Sequence, residues 1–115
     1  MDTYQTVMTW DESLRSGDWE LARSMLSDEA CWFGPDRDLT CDCPEEIIDL
    51  LRSYKGVNSD VAMLGLEILG NQAVAHLRQP DWGEEWFQVL TVDGGRIVLM
   101  EDFPNEPTAR TATRP

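Results

Sequence analysis

Near residue 60 the apolar residues of this chain change their period, and that change limits the fold more than any other feature. Before it, they recur at three- and four-residue steps, as on one face of a helix. Tyr4, Val7, Trp10 and Leu14 make one such face over residues 3–16, and Ile47, Ile48, Leu51 and Tyr54 make another after Pro44. After it, Leu64, Leu66 and Ile68 alternate with Gly65, Glu67 and Leu69, the two-residue period of a strand. Helices first and antiparallel strands after define an α+β domain.

The junctions divide this pattern further. Gly17 suits the C-terminal cap of the first helix, and Asp18 can cap a second whose buried face is Leu21, Ala22, Met25 and Leu26. Asp28-Glu29 closes it, Ala30–Gly34 reads as a short strand, and residues 35–42 as a polar loop. Pro44 fits the first position of a third helix, with Glu45 and Glu46 favourably placed against its dipole and Lys55-Gly56 at its end. Strands 72–79, 84–92 and 96–103 follow. They are separated by the loop Pro80-Asp81-Trp82-Gly83 and by Asp93-Gly94, a strong hairpin signal. Residues 104–115 hold three prolines and no periodicity, which predicts a loose tail after a single domain over 1–103. The expected architecture is three N-terminal helices packed on a strongly curved, mostly antiparallel sheet. A cone-shaped cavity would lie between them.

Charge narrows the partners. The net charge is -13, so phosphate backbones and anionic membrane surfaces are repelled. No segment has the length of a membrane span, and the N-terminus lacks a basic start and an apolar run. A cytoplasmic setting with three reduced cysteines is therefore expected. Cys41-x-Cys43 has no second pair to complete a zinc site, and Cys43 is better explained as the residue before Pro44. No phosphate-cradling glycine loop is present, so neither metal nor cofactor is expected.

Gly17-Asp18, Glu29-Ala30 and the run Gly95-Arg96-Ile97-Val98 leading to Asp102, taken with the order of elements, cover most of residues 4–103. In these the chain resembles the nuclear transport factor 2-like superfamily, in its SnoaL-like branch. The resemblance implies a pocket, and it covers isomerases, cyclases, hydrolases, dehydratases and non-catalytic binders, so the fold does not decide the function. In the ketosteroid isomerases a Tyr on the first helix donates to the developing oxyanion, and an Asp before a Pro shuttles the proton. The matching positions here are Trp10 and Gly34, which argues against that chemistry. The SnoaL-like cyclases carry an acid/base carboxylate where this chain has Asp102, usually after a Trp where this chain has Glu101.

Asp102 alternates with Met100 and Val98, so the three share a face. If that face is the cavity, desolvation would make Asp102 a usable base near neutral pH; otherwise it is a solvated strand-end carboxylate. His76, the single histidine, shares a face with Val74 and Arg78. His76 could pair with Asp102 and Arg78 could bind an enolate oxygen, or both could face solvent. Trp10, Trp32, Trp86 and Phe87 would either line a pocket or fill the cone. The expected ligand is a small apolar or aromatic molecule. With Asp102 as acid/base the chain would be a cofactor-independent cyclase-, isomerase- or hydratase-type enzyme acting on an apolar carbonyl metabolite. The alternative is a non-catalytic binding or dimeric interaction module. A homodimer is expected through the sheet face opposite the helices, with Trp86 or its strand neighbours near the interface, where Ile97 and Leu99 would alternate with Glu101.

Overall fold

The computed structural model describes residues 1–36, 38–55, 61–79 and 83–113. The side chain of Tyr54, the Gly56 stop and loop residues Pro80, Asp81 and Trp82 lie outside them. Two helices open the chain, α1 (Thr3–Ser16) and α2 (Trp19–Ser24), followed by strands β1 (Leu26–Phe33) and β2 (Leu39–Cys41) and helix α3 (Pro44–Lys55). Strands β3 (Ala62–Leu69), β4 (Gln72–Arg78), β5 (Glu85–Asp93) and β6 (Arg96–Phe103) come next, and α4 (Glu106–Ala112) closes. Among the described residues no helix is long and apolar enough to cross a membrane.

Local chemistry sets the helix ends. Asp2 and Gln5 form a reciprocal capping box on α1, with the Gln5 N–H donating to Asp2 Oδ1 at 2.8 Å. Gly17 ends that helix in the left-handed region, at φ 74°, where a side chain would be strained. Asp18 then accepts from the Leu21 N–H at 3.1 Å to start α2. That helix is shorter than its sequence suggests. Met25 caps it, and Leu26 already begins β1, so Asp28 and Glu29 lie in a strand. Leu21 and Tyr4 are exposed, while Val7, Trp10 and Ala22 are buried.

Six strands form a curved, unclosed sheet in the order β2-β1-β6-β5-β4-β3. Neighbours are antiparallel except β1 and β6, which run parallel. The helices cover the concave face, where Val7, Trp10, Ile47 and Ile48 pack on Leu26, Ala75, Leu90, Ile97 and Met100. Burying these side chains is the main stabilising contribution. The β5–β6 hairpin turns on Gly94 and Gly95, at φ 61° and 78°, between the paired Asp93 and Arg96. Two successive positive φ values match the right-handed twist of the strands, and only glycine takes them without cost.

Two bulges reset the alternation read from the sequence. On β3, Met63 pairs with Leu77 and Gly65 with His76, so Leu64 is the extra residue and is half exposed. On β6, Ile97 pairs with Val92 and Leu99 with Thr91, which leaves Val98 extra and puts Ile97 on the same face as Met100. Ile97 is therefore in the core at 0 % exposure, not on the convex face as its spacing implied. Residues 35–42 contain the short strand β2, which pairs with β1.

The tail expectation is corrected as well. Asn105 caps α4 by accepting from the Thr108 N–H at 3.1 Å. Ala109 is fully buried against Val74, Val89 and Phe103 on the convex face, with Leu69, Phe87 and Ala112 around it. Arg110 pairs with Glu67 of β3. Alanines give this helix its contact surface, so the sequence shows no large apolar stripe.

Candidate functional site

Between the helices and the concave face lies a cavity of about 400 Å³. Alternation along each strand decides what faces it. On β4 the inward phase is Ala75, Leu77 and then Gln79; on β5 it is Trp86, Gln88 and Leu90; on β6 it is Met100 and Asp102. Trp32 of β1 and Met63 of β3 extend the sheet side, and Trp10 and Leu14 of α1, Trp19 of α2 and Leu51 of α3 supply the apolar wall on the helix side. Asp11, Arg15 and Glu84 also border it, and Asp11 is paired with Arg15 at 2.7 Å.

Asp102 is the buried carboxyl of this cavity, at 8 % exposure. The β5–β6 register sets Gln88 directly opposite it, and Gln88 Nε2 donates to Oδ1 at 2.9 Å. Trp32 pairs with Met100 across β1–β6, so its indole reaches diagonally and Nε1 donates to Asp102 Oδ2 at 2.9 Å. Burial among apolar groups outweighs these two donors and pushes the Asp102 pKa up to about 6. A carboxyl so placed can hold or release a proton near neutral pH.

Of the residues singled out from the sequence, Trp10, Trp32, Trp86, Met100 and Asp102 all line this cavity. His76 and Arg78 do not. On β4 they hold the outward phase, opposite to Ala75 and Leu77, so neither can act with Asp102. His76 stacks on Phe87 with centroids 4.4 Å apart, and its Nε2 lies 2.6 Å from Glu85 Oε1. Phe87 is thus a convex-face residue too. The sequence reading missed Gln79, Gln88 and Trp19. A signal existed for the glutamines: each falls in phase with an apolar inward neighbour, Leu77 for Gln79 and Trp86 for Gln88.

Elsewhere the chemistry is quieter. Cys31 and Cys41 have thiols pushed up mainly by burial, which keeps them neutral. Among the described residues no three of His, Cys, Asp and Glu gather as metal ligands would. Glu101, the residue before Asp102, is buried on the opposite face beside Phe33 and Val89 and does not touch the cavity.

No family model matches the chain, and no curated protein does. Solved structures do. An NTF2-like (nuclear transport factor 2-like) protein of unknown function from Cytophaga hutchinsonii superposes with a TM-score of 0.77 at 12% identity, covering 96% of each chain. An uncharacterised cystatin-fold protein from Novosphingobium aromaticivorans gives 0.74 at 15%, over 90% of this chain and 98% of that one. An LEH-like epoxide hydrolase of Mycobacterium tuberculosis gives 0.70 at 18%, over 90% of this chain and 82% of that one. At such identities the likeness is one of fold, and the fold here is the nuclear transport factor 2-like cone.

Proposed function

We propose that this chain is a small-molecule pocket protein in which Asp102 moves a proton on an apolar carbonyl compound. The observation that carries the proposal is Asp102 itself, buried at the foot of an apolar cavity with a pKa of about 6 and two neutral donors on its oxygens. Above that pH it is a carboxylate in a poorly solvated site, suited to take a proton from the carbon beside a carbonyl. Its own pKa is close enough to neutrality for the proton to be returned. The enolate oxygen that forms needs a donor. Gln88 has a second amide hydrogen, and the Trp10 indole N–H has no partner among the described residues. These take the part that His76 and Arg78 cannot.

The resemblance to the SnoaL-like cyclases supports this reading, because their carboxylate falls at Asp102. Their usual Trp falls at Glu101, which faces away from the cavity, so that departure leaves the pocket unaltered. The epoxide hydrolase among the similar structures supports the reading to the extent that the same fold carries an enzyme there. The isomerase route remains disfavoured. Gly34 stands at the position of that family's Asp, and a Cβ there would meet Thr40 Oγ1 at 3.1 Å.

The test is proton exchange. Apolar cyclic ketones are incubated with the protein in heavy water, and loss of the proton signal beside the carbonyl is followed by NMR. Asp102→Asn is expected to reduce the exchange rate by roughly two orders of magnitude or more. Undiminished exchange in that variant sinks the assignment. A second reading, a non-catalytic binder, draws on the same two donors, since Trp32 and Gln88 anchor Asp102 as a structural acceptor would be anchored. Wild-type protein that binds ketones without exchanging their protons selects it.

A further inference from the structure

The cavity contains a polar group that this chemistry does not use. Gln79 follows β4 in the inward phase and lines the cavity, 7 % exposed. Its Oε1 is buried without a hydrogen-bond partner among the described residues. The backbone there is fixed: Gln79 N–H donates to Glu84 O at 2.8 Å, and Gly83 N–H donates to Gln79 O at 2.7 Å. The sheet end therefore holds the Gln79 backbone in place beside the cavity. An unpaired buried polar atom is costly and is rare in native structures without a reason. Turning the amide by half a revolution exchanges acceptor for donor, so the vacant point suits a hydroxyl or a carbonyl.

Its distance from Asp102 follows from the register. Asp102, Gln88 and Ala75 lie level across β6, β5 and β4. Gln79 is four residues past Ala75, about 13 Å along the strand, and β4 is two strand spacings from β6, about 10 Å. The pair between the two levels is Leu77 and Trp86, which present only an apolar wall. Along this stretch of sheet Asp102 and Gln79 thus stand at opposite ends with the Leu77–Trp86 pair between them, while Asp11, Arg15 and Glu84 border the cavity at its edge.

We infer that Gln79 is a specificity-determining residue: the pocket takes an elongated apolar carbonyl compound with a second polar group, a hydroxyl or another carbonyl, at the end remote from Asp102, and Gln79 pairs with that group. This rests on the reading of the cavity as a small-molecule pocket and adds the shape and polarity of what fills it.

The test compares two probes, para-cyclohexylcyclohexanone and its counterpart bearing a hydroxyl on the far para carbon. Binding is read by quenching of tryptophan fluorescence and by calorimetry, so no turnover is required. Wild-type protein should favour the hydroxyketone by about tenfold. Gln79→Leu, and Gln79→Met as the variant closer in shape, should bind both probes within about twofold of each other. Both variants should also melt at a higher temperature than wild type without ligand, because the unpaired atom is gone. Equal binding of the two probes by wild type overturns the inference, and so does a preference that survives both variants. If wild type binds neither ketone, the pocket reading itself falls. Exchange that persists in Asp102→Asn removes the proposed chemistry and leaves the role of Gln79 standing.

Discussion

Replacing Asp102 by Asn should change how stability depends on pH, because the wild-type carboxyl titrates in a buried site. The folded-state pKa is raised from 3.8 to about 6, so the native protein binds a proton that the unfolded chain releases earlier. For a carboxyl raised on folding, stability is fully present below the unfolded pKa and is lost as pH rises through the folded one. A raise of that size corresponds to about 3 kcal/mol at neutral pH, most of which falls between roughly pH 4 and pH 8. Asn cannot accept from both Trp32 and Gln88, because one of its termini is a donor. That mismatch costs about 1 kcal/mol at every pH and leaves the slope alone. Urea unfolding of both proteins across this range isolates the effect. Wild type should lose about 2–3 kcal/mol relative to the variant as pH rises, roughly 2 M in midpoint for a domain of this size. A difference that stays flat, or that grows in favour of wild type with rising pH, would refute the claim that burial dominates at Asp102.

Gln88→Leu removes a donor from the ionised carboxylate, so the Asp102 pKa should rise further, by about one unit, read by carbon NMR of a labelled sample. Ile97→Ala should cost about 2–5 kcal/mol in urea unfolding, and Leu64→Ala should stay within about 0.5 kcal/mol. The reverse order would contradict the bulge phases. Deleting residues 105–115 should destabilise the fold and increase binding of a hydrophobic dye, because Val89 and Phe103 lose their cover; an unchanged urea midpoint would deny α4 that role. Self-association is a proposal that now rests on the strip of convex face around Phe33 and Leu99, since Ile97 is in the core, Trp86 faces the cavity and not the expected interface, and α4 covers the Val74–Val89–Phe103 patch. Sedimentation should show a dimer that tightens with salt, given the net charge of -13. A single species near 13.1 kDa at both low and high salt removes it.

The residues that gave away the fold were those whose side chains obey one period over a whole element. Val7, Trp10 and Leu14 on α1, and the caps at Gly17 and Asp18, needed no tertiary information. The faces of the strands needed more. Ala73, Val74 and Ala75 are all buried because helices cover one side of β4 and α4 the other, so alternation there is silent and His76 could be assigned to either face. Bulges at Leu64 and Val98 each shift the phase by one residue, which no local pattern announces. Asp102 was legible because a known family marks its position. Gln79 and Gln88 were passed over although each is in phase with an apolar neighbour, because which face that phase meets is set only by the register and the helices above it.

The parallel pairing of β1 with β6 bears on how this protein comes to exist on the ribosome. β3, β4 and β5 are successive antiparallel neighbours and can form as soon as they emerge. β1 leaves the exit tunnel long before its main partner, and the Trp32–Asp102 hydrogen bond joins positions 70 residues apart. Closing so long a loop is slow compared with forming a hairpin. Until the last strand is released, the helices have half a sheet to rest on and Trp32 has no carboxylate. The cavity is thus the final part to assemble, and a chain interrupted before β6 carries a meander without the site it was meant to enclose.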